Sequence, residues 1–276
     1  MNNKIRFAFL HVLMFLAISM QAARVDTLKV ESPRMQRSLE VVVIVPDQAL
    51  QGKKVPTLYL LHGHSGNAHS WLHIQPALPA LADRDGILVV CPDGRNSWYW
   101  DSPVNEKSQF ETFVSKELIK YIDSHYPTLK HREARAVTGL SMGGQGSFWL
   151  AFHHKDVFGA AGSTSGGLDI RPFPKNWNMS DVLGKKSENP QRWDAFTIIN
   201  QLDLIDNGDL ALIFDCGVND FFYKVNCNFH EALLKRGIEH DFISRPGAHT
   251  QTYWKNSIEY QWLFFNKFFK GYRFKK

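Results

Sequence analysis

Residues 136–145 read Ala-Val-Thr-Gly-Leu-Ser-Met-Gly-Gly-Gln, and this stretch decides the fold. Residues 136–138 favour a strand, and residues 145–153 favour a helix. The sequence between them matches G-x-S-x-G, a nucleophile elbow in which a serine occupies a strained turn between a strand and a helix. Glycine is required on both sides of that turn because a Cβ atom there would clash with the neighbouring backbone. We therefore predict Ser141 as a nucleophile, against the alternative of a glycine-rich turn with an idle serine.

Outward from this turn, apolar runs of strand length alternate with longer helical patterns, which is typical of a mostly parallel sheet wrapped by helices. The predicted strands are residues 26–31, 39–45, 57–61, 86–91, 133–138, 158–163, 210–214 and 241–244, of which the first two form a hairpin at the sheet edge. The predicted helices are residues 108–126, 142–153, 223–236 and 252–270. Residues 168–209 are rich in Pro, Asn, Lys and Asp, and we expect an excursion over the sheet there.

The overall composition limits the number of domains and the class of partner. With 276 residues, 44% of them hydrophobic, the chain can bury one sizeable core but not two large ones. We therefore expect a single catalytic domain over residues 23–276. The formal net charge of +5 is modest and forms no basic stripe, which argues against nucleic-acid binding.

The first 22 residues have the pattern of a targeting segment. Lys4 and Arg6 precede an apolar run over residues 7–20, and the small residue Ala22 follows it. A basic start, a short apolar run and a small-residue exit are typical of a secretory signal peptide, and an uncleaved anchor is the alternative. We predict residues 1–22 as a signal peptide, with an exported chain (periplasmic or extracellular) and no membrane insertion after cleavage.

A serine hydroxyl needs a base to become nucleophilic near neutral pH. His249 directly follows the last predicted strand, where sheets of this kind build their sites. His240 precedes that strand and belongs to the opposite edge, and His230 falls within a predicted helix. We therefore predict His249 as the base.

The base in turn needs an acid to orient it, and the expected chain order is serine, acid, histidine. Asp215 directly follows the predicted strand at 210–214, and Asp220 lies in the turn after it. Asp241 begins the last strand and shares the wrong edge with His240. The residues alone leave Asp215 and Asp220 equal.

Acyl transfer also needs N–H donors for the negative charge that develops on the carbonyl oxygen. The first predicted donor is the backbone N–H of Met142, the residue after the nucleophile. The second is the backbone N–H of His64 in the loop after the strand at 57–61, with Gly63 as the alternative. We give the side chain of His62 no role in proton transfer and expect it to be structural.

The sequence leaves the roles of two further groups of residues undecided. Trp98, Trp100 and Trp254 are either walls of a substrate pocket or parts of a small satellite core. Cys216 and Cys227 either form a disulfide or are buried free thiols, and the odd number of three cysteines leaves at least one unpaired. No CxxC pair or His/Cys cluster has zinc-ligand spacing, so we expect no metal and no cofactor.

Taken together, these motifs resemble the esterase group of the α/β-hydrolases, which includes feruloyl and acetylxylan esterases, tributyrin esterases, S-formylglutathione hydrolases and mycolyltransferases. The resemblance rests on residues 60–63 with Gly66, 92–94 with Trp98 and Tyr99, 117–119 with 121–123, 139–144, 216–220, and 247–249 with Trp254. It implies the α/β-hydrolase fold, a serine esterase activity, Asp220 as the triad acid and His249 as its histidine. Thr250 departs from the acidic residue that many polysaccharide-directed members have after the histidine.

The resemblance leads to three hypotheses about function. The first is a secreted esterase that hydrolyses short acyl or feruloyl esters, on a small molecule or on carbohydrate, through an acyl-enzyme. The second is an acyltransferase that uses the same residues and a sugar hydroxyl in place of water. The third is a non-catalytic binding module of hydrolase fold, which would be free to lose Ser141, Asp220 or His249, whereas candidates for all three are present. An exported location argues against formylglutathione, a cytosolic metabolite.

Overall fold

The computed structural model describes residues 23–271, and their strands form one eight-stranded sheet. The strands are β1 (Arg24–Ser32), β2 (Arg37–Val45), β3 (Thr57–Leu61), β4 (Leu88–Pro92), β5 (Arg135–Gly139), β6 (Ala160–Thr164), β7 (Ala211–Gly217) and β8 (Asp241–Arg245). Their spatial order is β1-β2-β4-β3-β5-β6-β7-β8. β2 pairs antiparallel with β1 and β4, and the other neighbouring pairs are parallel. The predicted α/β fold and its edge hairpin are confirmed, whereas the predicted signal peptide lies outside the described residues.

Helices cover both faces of this sheet. They are α1 (Asp47–Leu50), α2 (Ser70–Ile74), α3 (Leu78–Asp85), α4 (Phe110–Thr112), α5 (Leu118–His125), α6 (Met142–His153), α7 (Met179–Leu183), α8 (Pro190–Ala195), α9 (Tyr223–Lys235) and α10 (Gln251–Phe269). A π-helical turn (Phe113–Glu117) joins α4 to α5, and 3₁₀ turns span Arg132–Ala134 and Ile198–Leu204. No helix within residues 23–271 has the length and apolar character that crossing a membrane requires.

The core consists of two apolar layers, one on each face of the sheet. Helices α5, α6 and α9 pack in one layer, and α2, α3 and α10 pack in the other. Alternate residues of β2 show the division, because Val41 and Val43 belong to the first layer and Val42 and Ile44 to the second. A sheet that is covered on both faces in this way leaves its carboxyl-end loops as the natural place for a site.

Two predicted elements differ from the observed ones, one at its start and one in its interior. Gly86, expected to begin a strand, instead ends helix α3 with a φ of +66°, a left-handed cap that glycine adopts readily. The predicted helix at 108–126 is interrupted by the π-helical turn. There the hydroxyl of Ser115 donates to the carbonyl of Glu111 at 2.7 Å and competes with the backbone for that acceptor.

The most consequential difference concerns strand β7. The sequence predicted a strand that ends at residue 214, but pairing with β8 continues to the partners Gly217 and Arg245. Asp215 therefore lies inside the strand and not after it. The turn that leaves the sheet begins later, so that Asp220 is the acidic residue in the connecting loop.

Four loops meet at the carboxyl edge of the parallel strands. They follow β3, β5, β7 and β8, and they carry His64, Ser141, Asp220 and His249 in that order. The connection between β6 and β7 includes residues 168–209, which form α7, α8 and the second 3₁₀ turn.

Candidate active site

Ser141 occupies a strained turn between β5 and α6. Its φ of +54° and ψ of −115° fall in a region that residues with a side chain rarely adopt. A Cβ atom on Gly139 would lie 2.6 Å from the carbonyl carbon of Gly143, and one on Gly143 would lie 2.5 Å from the carbonyl oxygen of Leu61. Both obstacles are backbone atoms that cannot move aside, so glycine is required at both positions, as the sequence indicated.

A continuous chain of hydrogen bonds runs from this serine to a carboxylate. The Oγ of Ser141 lies 2.9 Å from the Nε2 of His249, and the Nδ1 of His249 lies 2.8 Å from Oδ2 of Asp220. Because an ionised carboxylate only accepts, Nδ1 carries the imidazole proton and Nε2 accepts from the serine hydroxyl. The three residues are therefore arranged for the serine to lose its proton to the histidine.

Glycines also bring the acid and base loops together. A Cβ atom on Gly217 would lie 2.4 Å from the carbonyl oxygen of Gly247, whose own φ is +141°. The N–H of Asn219 donates to that same carbonyl at 2.9 Å. The N–H of Phe222 donates to Oδ1 of Asp220 at 2.8 Å, which leaves Oδ2 for His249. The close approach of the two loops thus fixes the orientation of the carboxylate.

Asp215, the other aspartate considered as the acid, faces a different set of partners. It is fully buried and accepts hydrogen bonds from Thr164 and Gln261 at 2.7 Å each, and a further bond from Ser257. Burial raises the pKa of Asp215, and the hydrogen bonds from Ser257, Gln261 and Thr164 offset this rise only in part. Its carboxylate ties β7 to β6 and α10.

The other histidine candidates form a separate pair beyond the amino end of β8. The Nδ1 of His230 lies 2.7 Å from Nε2 of His240, and both rings stack on phenylalanines of the core. Burial lowers the pKa of His240, because the charged form loses its hydration there. Neither ring contacts Ser141.

Two backbone N–H groups near the serine have no hydrogen-bond acceptor in the described part of the chain. Those of Met142 and His64, the predicted oxyanion donors, donate no hydrogen bond within residues 23–271. Met142 is the first residue of α6, where the helix presents unpaired N–H groups and a partial positive charge. The loop of His64 lies against the nucleophile, because a Cβ atom on Gly63 would be only 3.4 Å from that of Ser141.

The tryptophans predicted to contact substrate have two different environments. Trp98 and Trp100 are 1% and 0% exposed, belong to the first apolar layer of the core and stack with ring centroids 5.6 Å apart, so neither ring offers surface to a pocket. The indole N–H of Trp98 donates to the carbonyl of Trp177 at 3.0 Å. Trp254 is half-buried, and its ring stands perpendicular to that of His249 at 4.9 Å.

Sequence reasoning missed an aromatic surface beside the histidine. We call Phe173, Trp177 and Phe221 the aromatic shelf. Phe221 is 48% exposed, and its ring centroid lies 4.3 Å from that of His249 and 5.2 Å from that of Trp177. Phe173 and Trp177 are half-buried. The only sequence signal was the position of Phe221 directly after Asp220, because the other two rings come from the excursion at 168–209.

A strained turn of the excursion contacts the loop of His64. Trp177 and Asn178 both have a positive φ, at 49° and 56°. The side chain of Asn178 lies 2.9 Å from Nε2 of His64 through Oδ1, and its Nδ2 donates to Asp181 at 2.8 Å. These bonds connect the aromatic shelf to the loop that carries the second predicted oxyanion donor.

The cysteines are free thiols in this structure, Cys91 and Cys216 buried and Cys227 half-buried. Burial raises the pKa of Cys91 to about 12 and raises that of Cys216 further, so both thiols stay protonated at neutral pH. Within residues 23–271, no three His, Cys, Asp or Glu side chains are grouped so that they could hold a metal ion.

Comparison with known proteins places the chain in a family. The sequence model of a family described as "Putative esterase" matches residues 32–264. An acetyl esterase of Caldicellulosiruptor saccharolyticus is 25% identical over 261 residues, which cover 84% of this chain and 95% of the relative. A diacylglycerol acyltransferase/mycolyltransferase of Mycobacterium leprae is 26% identical over 275 residues, 86% of this chain and 82% of that protein.

A solved structure of a ferulic acid esterase superposes on the chain with a TM-score of 0.77 and 26% identity, covering 90% of this chain and 99% of the other. The sequence likeness and the shared architecture therefore agree over nearly the same residues. Because the family model spans most of its length, the chain belongs to this esterase family and is a serine carboxylic ester hydrolase with the α/β-hydrolase fold.

Proposed function

We propose that the chain is an exported esterase that cleaves carboxylic esters through an acyl-enzyme on Ser141, with His249 as general base and Asp220 as the acid that orients it. The observation that carries this proposal is the unbroken set of hydrogen bonds from Asp220 through His249 to Ser141. The strained conformation of Ser141 supports it, because such strain persists where a side chain is held for function.

In the first half of the reaction, Nε2 of His249 takes the hydroxyl proton as Oγ of Ser141 attacks the ester carbonyl carbon. The electron pair of the C=O double bond moves to the oxygen, which the N–H groups of Met142 and His64 stabilise. The carbonyl then re-forms, the bond to the alcohol oxygen breaks, and the alcohol leaves with the proton from Nε2. Asp220 stabilises the imidazolium between these two transfers.

In the second half, water replaces the alcohol. His249 accepts a proton from water, the hydroxide oxygen bonds to the acyl carbon, and Oγ of Ser141 leaves with that proton. The products are a carboxylic acid, one alcohol and the unchanged enzyme. Neither half requires a cofactor, because the serine, the histidine and the backbone supply every group that reacts.

The acyl group that the site accepts is proposed to be either short or planar and aromatic. The aromatic shelf offers partly exposed ring surface at the edge of His249, where a planar ring can stack. The likeness to a ferulic acid esterase and to an acetyl esterase supports these two alternatives. Carbohydrate that carries such esters is the proposed natural substrate.

Export is proposed from the N-terminal segment, residues 1–22, whose basic start and apolar run are typical of a cleaved signal. Mass measurement of the chain recovered from the periplasm or medium of an expressing bacterium tests this. Loss of about 22 residues is expected. Recovery of the full-length chain in the membrane fraction would support an uncleaved anchor.

The activity is tested with purified protein lacking residues 1–22 and a panel of p-nitrophenyl acetate, butyrate and octanoate, methyl ferulate and acetylated xylan. Ser141→Ala is assayed beside wild type, and Ser124→Ala, an exposed helix serine, is the matched control. We expect cleavage by wild type and the control and none by Ser141→Ala. No cleavage of any ester by wild type would overturn the proposal.

Acyl transfer to a sugar hydroxyl is a second candidate, favoured by the likeness to the mycobacterial acyltransferase. The two reactions share the acyl-enzyme and differ in the acceptor that resolves it. Adding glucose or cellobiose to the assay and separating products by mass spectrometry distinguishes them. Acylated sugar formed at the expense of free acid would favour transfer, and free acid alone would favour hydrolysis.

A further inference from the structure

His62 begins the loop after β3 that carries Gly63 and His64, and its residue is only 1% exposed. Its Nδ1 lies 2.7 Å from the carbonyl oxygen of Gly63, and its Nε2 accepts a hydrogen bond from the N–H of Gly94 at 2.8 Å. A carbonyl oxygen can only accept, so Nδ1 carries the proton of that hydrogen bond. The buried imidazole therefore donates to the carbonyl of Gly63.

The carbonyl of Gly63 belongs to the same peptide unit as the N–H of His64. The peptide bonds of residues 23–271 are trans, so the C=O and N–H of that unit point in opposite directions within one plane. Holding the Gly63 oxygen towards His62 consequently turns the His64 N–H the other way. The N–H of Gly66 donates to the same oxygen at 3.0 Å, so two donors fix the plane.

The loop that follows β4 holds His62 in place at two points. One is the N–H of Gly94 on Nε2, and the other is the hydroxyl of Tyr99, which donates to the carbonyl of His62 at 3.2 Å. A Cβ atom on Gly94 would lie 2.3 Å from the ring of Tyr99, so glycine is needed for that ring to fit. The loop after β4, about 30 residues further along the chain, thus holds both the ring and the backbone of His62.

We propose that His62 is a positioning residue that fixes the Gly63–His64 peptide unit, so that the His64 N–H is aimed at the developing oxyanion. This inference rests on the proposed esterase function. It assigns a role to a side chain that does not touch the substrate and that transfers no proton. Two donors on one carbonyl also polarise the peptide unit, which strengthens its N–H as a donor.

A matched pair of variants separates this role from mere filling of the core. In His62→Asn the amide nitrogen stands near the position of Nδ1 and can still donate to Gly63. In His62→Gln the amide reaches the position of Nε2 and leaves the Gly63 carbonyl without its side-chain donor. Each replacement keeps one of the two contacts of the ring, because Asn can still donate to Gly63 and the Oε1 of Gln can still accept from the N–H of Gly94.

We expect His62→Gln to lower kcat by about ten- to a hundredfold, somewhat less than the loss of a whole oxyanion donor, with KM unchanged. His62→Asn should keep kcat within about fivefold of wild type. Binding of a trifluoromethyl ketone, whose adduct with Ser141 carries an oxyanion, should weaken in His62→Gln by the same factor as kcat. Melting temperatures measured alongside should fall in both variants, because each loses one buried hydrogen bond.

Equal kcat values for the two variants, or a higher value for Gln than for Asn, would overturn the inference. If either variant does not fold, Gly66→Ala provides an independent perturbation, because its Cβ atom would lie 2.8 Å from Nδ1 of His62 and displace it. That variant should lose kcat with KM unchanged, and an unchanged kcat would contradict the role. Inactivity of wild type on every ester would instead refute the proposed function.

Discussion

Asp215 and Asp220 follow each other closely at the carboxyl end of one strand, yet their hydrogen-bond partners differ completely. Asp215 lies within β7, fully buried, and accepts hydrogen bonds from neighbouring elements. Asp220 lies in the turn beyond the strand and accepts from the imidazole of His249. The first carboxylate joins pieces of the scaffold, and the second is hydrogen-bonded to the proposed base.

The comparison indicates that the point where β7 stops pairing with β8 decides whether an aspartate can reach His249. Within β7 the register opposite β8 sets the direction of each side chain, and Asp215 is turned to Ser257 and Gln261 of α10. Beyond Gly217 the chain leaves the sheet, so the carboxylate of Asp220 can reach across to the neighbouring loop. The two carboxylates therefore differ because Asp215 lies before the last pair of strand partners, Gly217 and Arg245, and Asp220 lies after it.

The largest effect on activity is expected at Ser141, the residue that either aspartate could reach only through His249. Ser141→Ala removes the nucleophile, and turnover of p-nitrophenyl acetate should fall by about 10⁵-fold or more. The circular dichroism spectrum and melting temperature should remain those of wild type. Residual activity near that of wild type would show that the serine is idle.

Asp220→Asn should lower kcat by about 10³- to 10⁴-fold, because an amide can hold the imidazole in the wrong tautomer. Its melting temperature should change little, since the side chain still fills the same space. Steady-state kinetics with differential scanning fluorimetry checks both parts. A loss of less than tenfold in kcat would remove Asp220 from the triad.

Asp215→Asn should lower the melting temperature clearly and kcat only slightly. An amide at this position would face donors from Thr164 and Gln261 with one acceptor in place of two, which costs about 1–3 kcal/mol of unfolding free energy. We expect a lower melting temperature and a kcat within about tenfold of wild type. An unchanged melting temperature would show that the buried network does not stabilise the fold.

The pH dependence of stability offers a finer test of the same residue. Burial raises the folded-state pKa of Asp215 above its unfolded value, so its stabilising contribution is present below about pH 4 and is lost as pH rises through the folded pKa. The stability of wild type relative to Asp215→Asn should therefore decrease from pH 4 towards neutrality. Urea unfolding of both proteins across this range measures the difference, and a difference that grows with pH would contradict the sign.

The smallest effect concerns the aromatic shelf next to Asp220. Phe221→Ala should lower kcat/KM for methyl ferulate roughly tenfold more than for glycerol triacetate, because only the former offers a ring to stack. Leu263→Ala, an equally exposed apolar residue on α10, is the control and should leave the ratio unchanged. An unchanged ratio in Phe221→Ala would exclude the shelf from acyl recognition.

The sequence predicted the elements that carry a strong local pattern. Ser141 was identified from its flanking glycines, and His249 from its place after a strand, since both signals lie within a few residues of the side chain. The choice of Asp220 needed the family resemblance, because the length of β7 depends on pairing with β8 and not on its own residues. Trp177 gave no signal, and Phe221 offered only its position after Asp220, since the contact of the two rings joins distant parts of the chain.

The most direct test of Asp220 as the orienting acid is the ratio of kcat values for Asp215→Asn and Asp220→Asn, measured side by side with p-nitrophenyl acetate at pH 7.5. We expect Asp215→Asn to be at least about a hundredfold faster, because Asp220 and not Asp215 is hydrogen-bonded to His249. A ratio near one, or a slower Asp215→Asn enzyme, would contradict the assignment of Asp220 as the acid that orients the base.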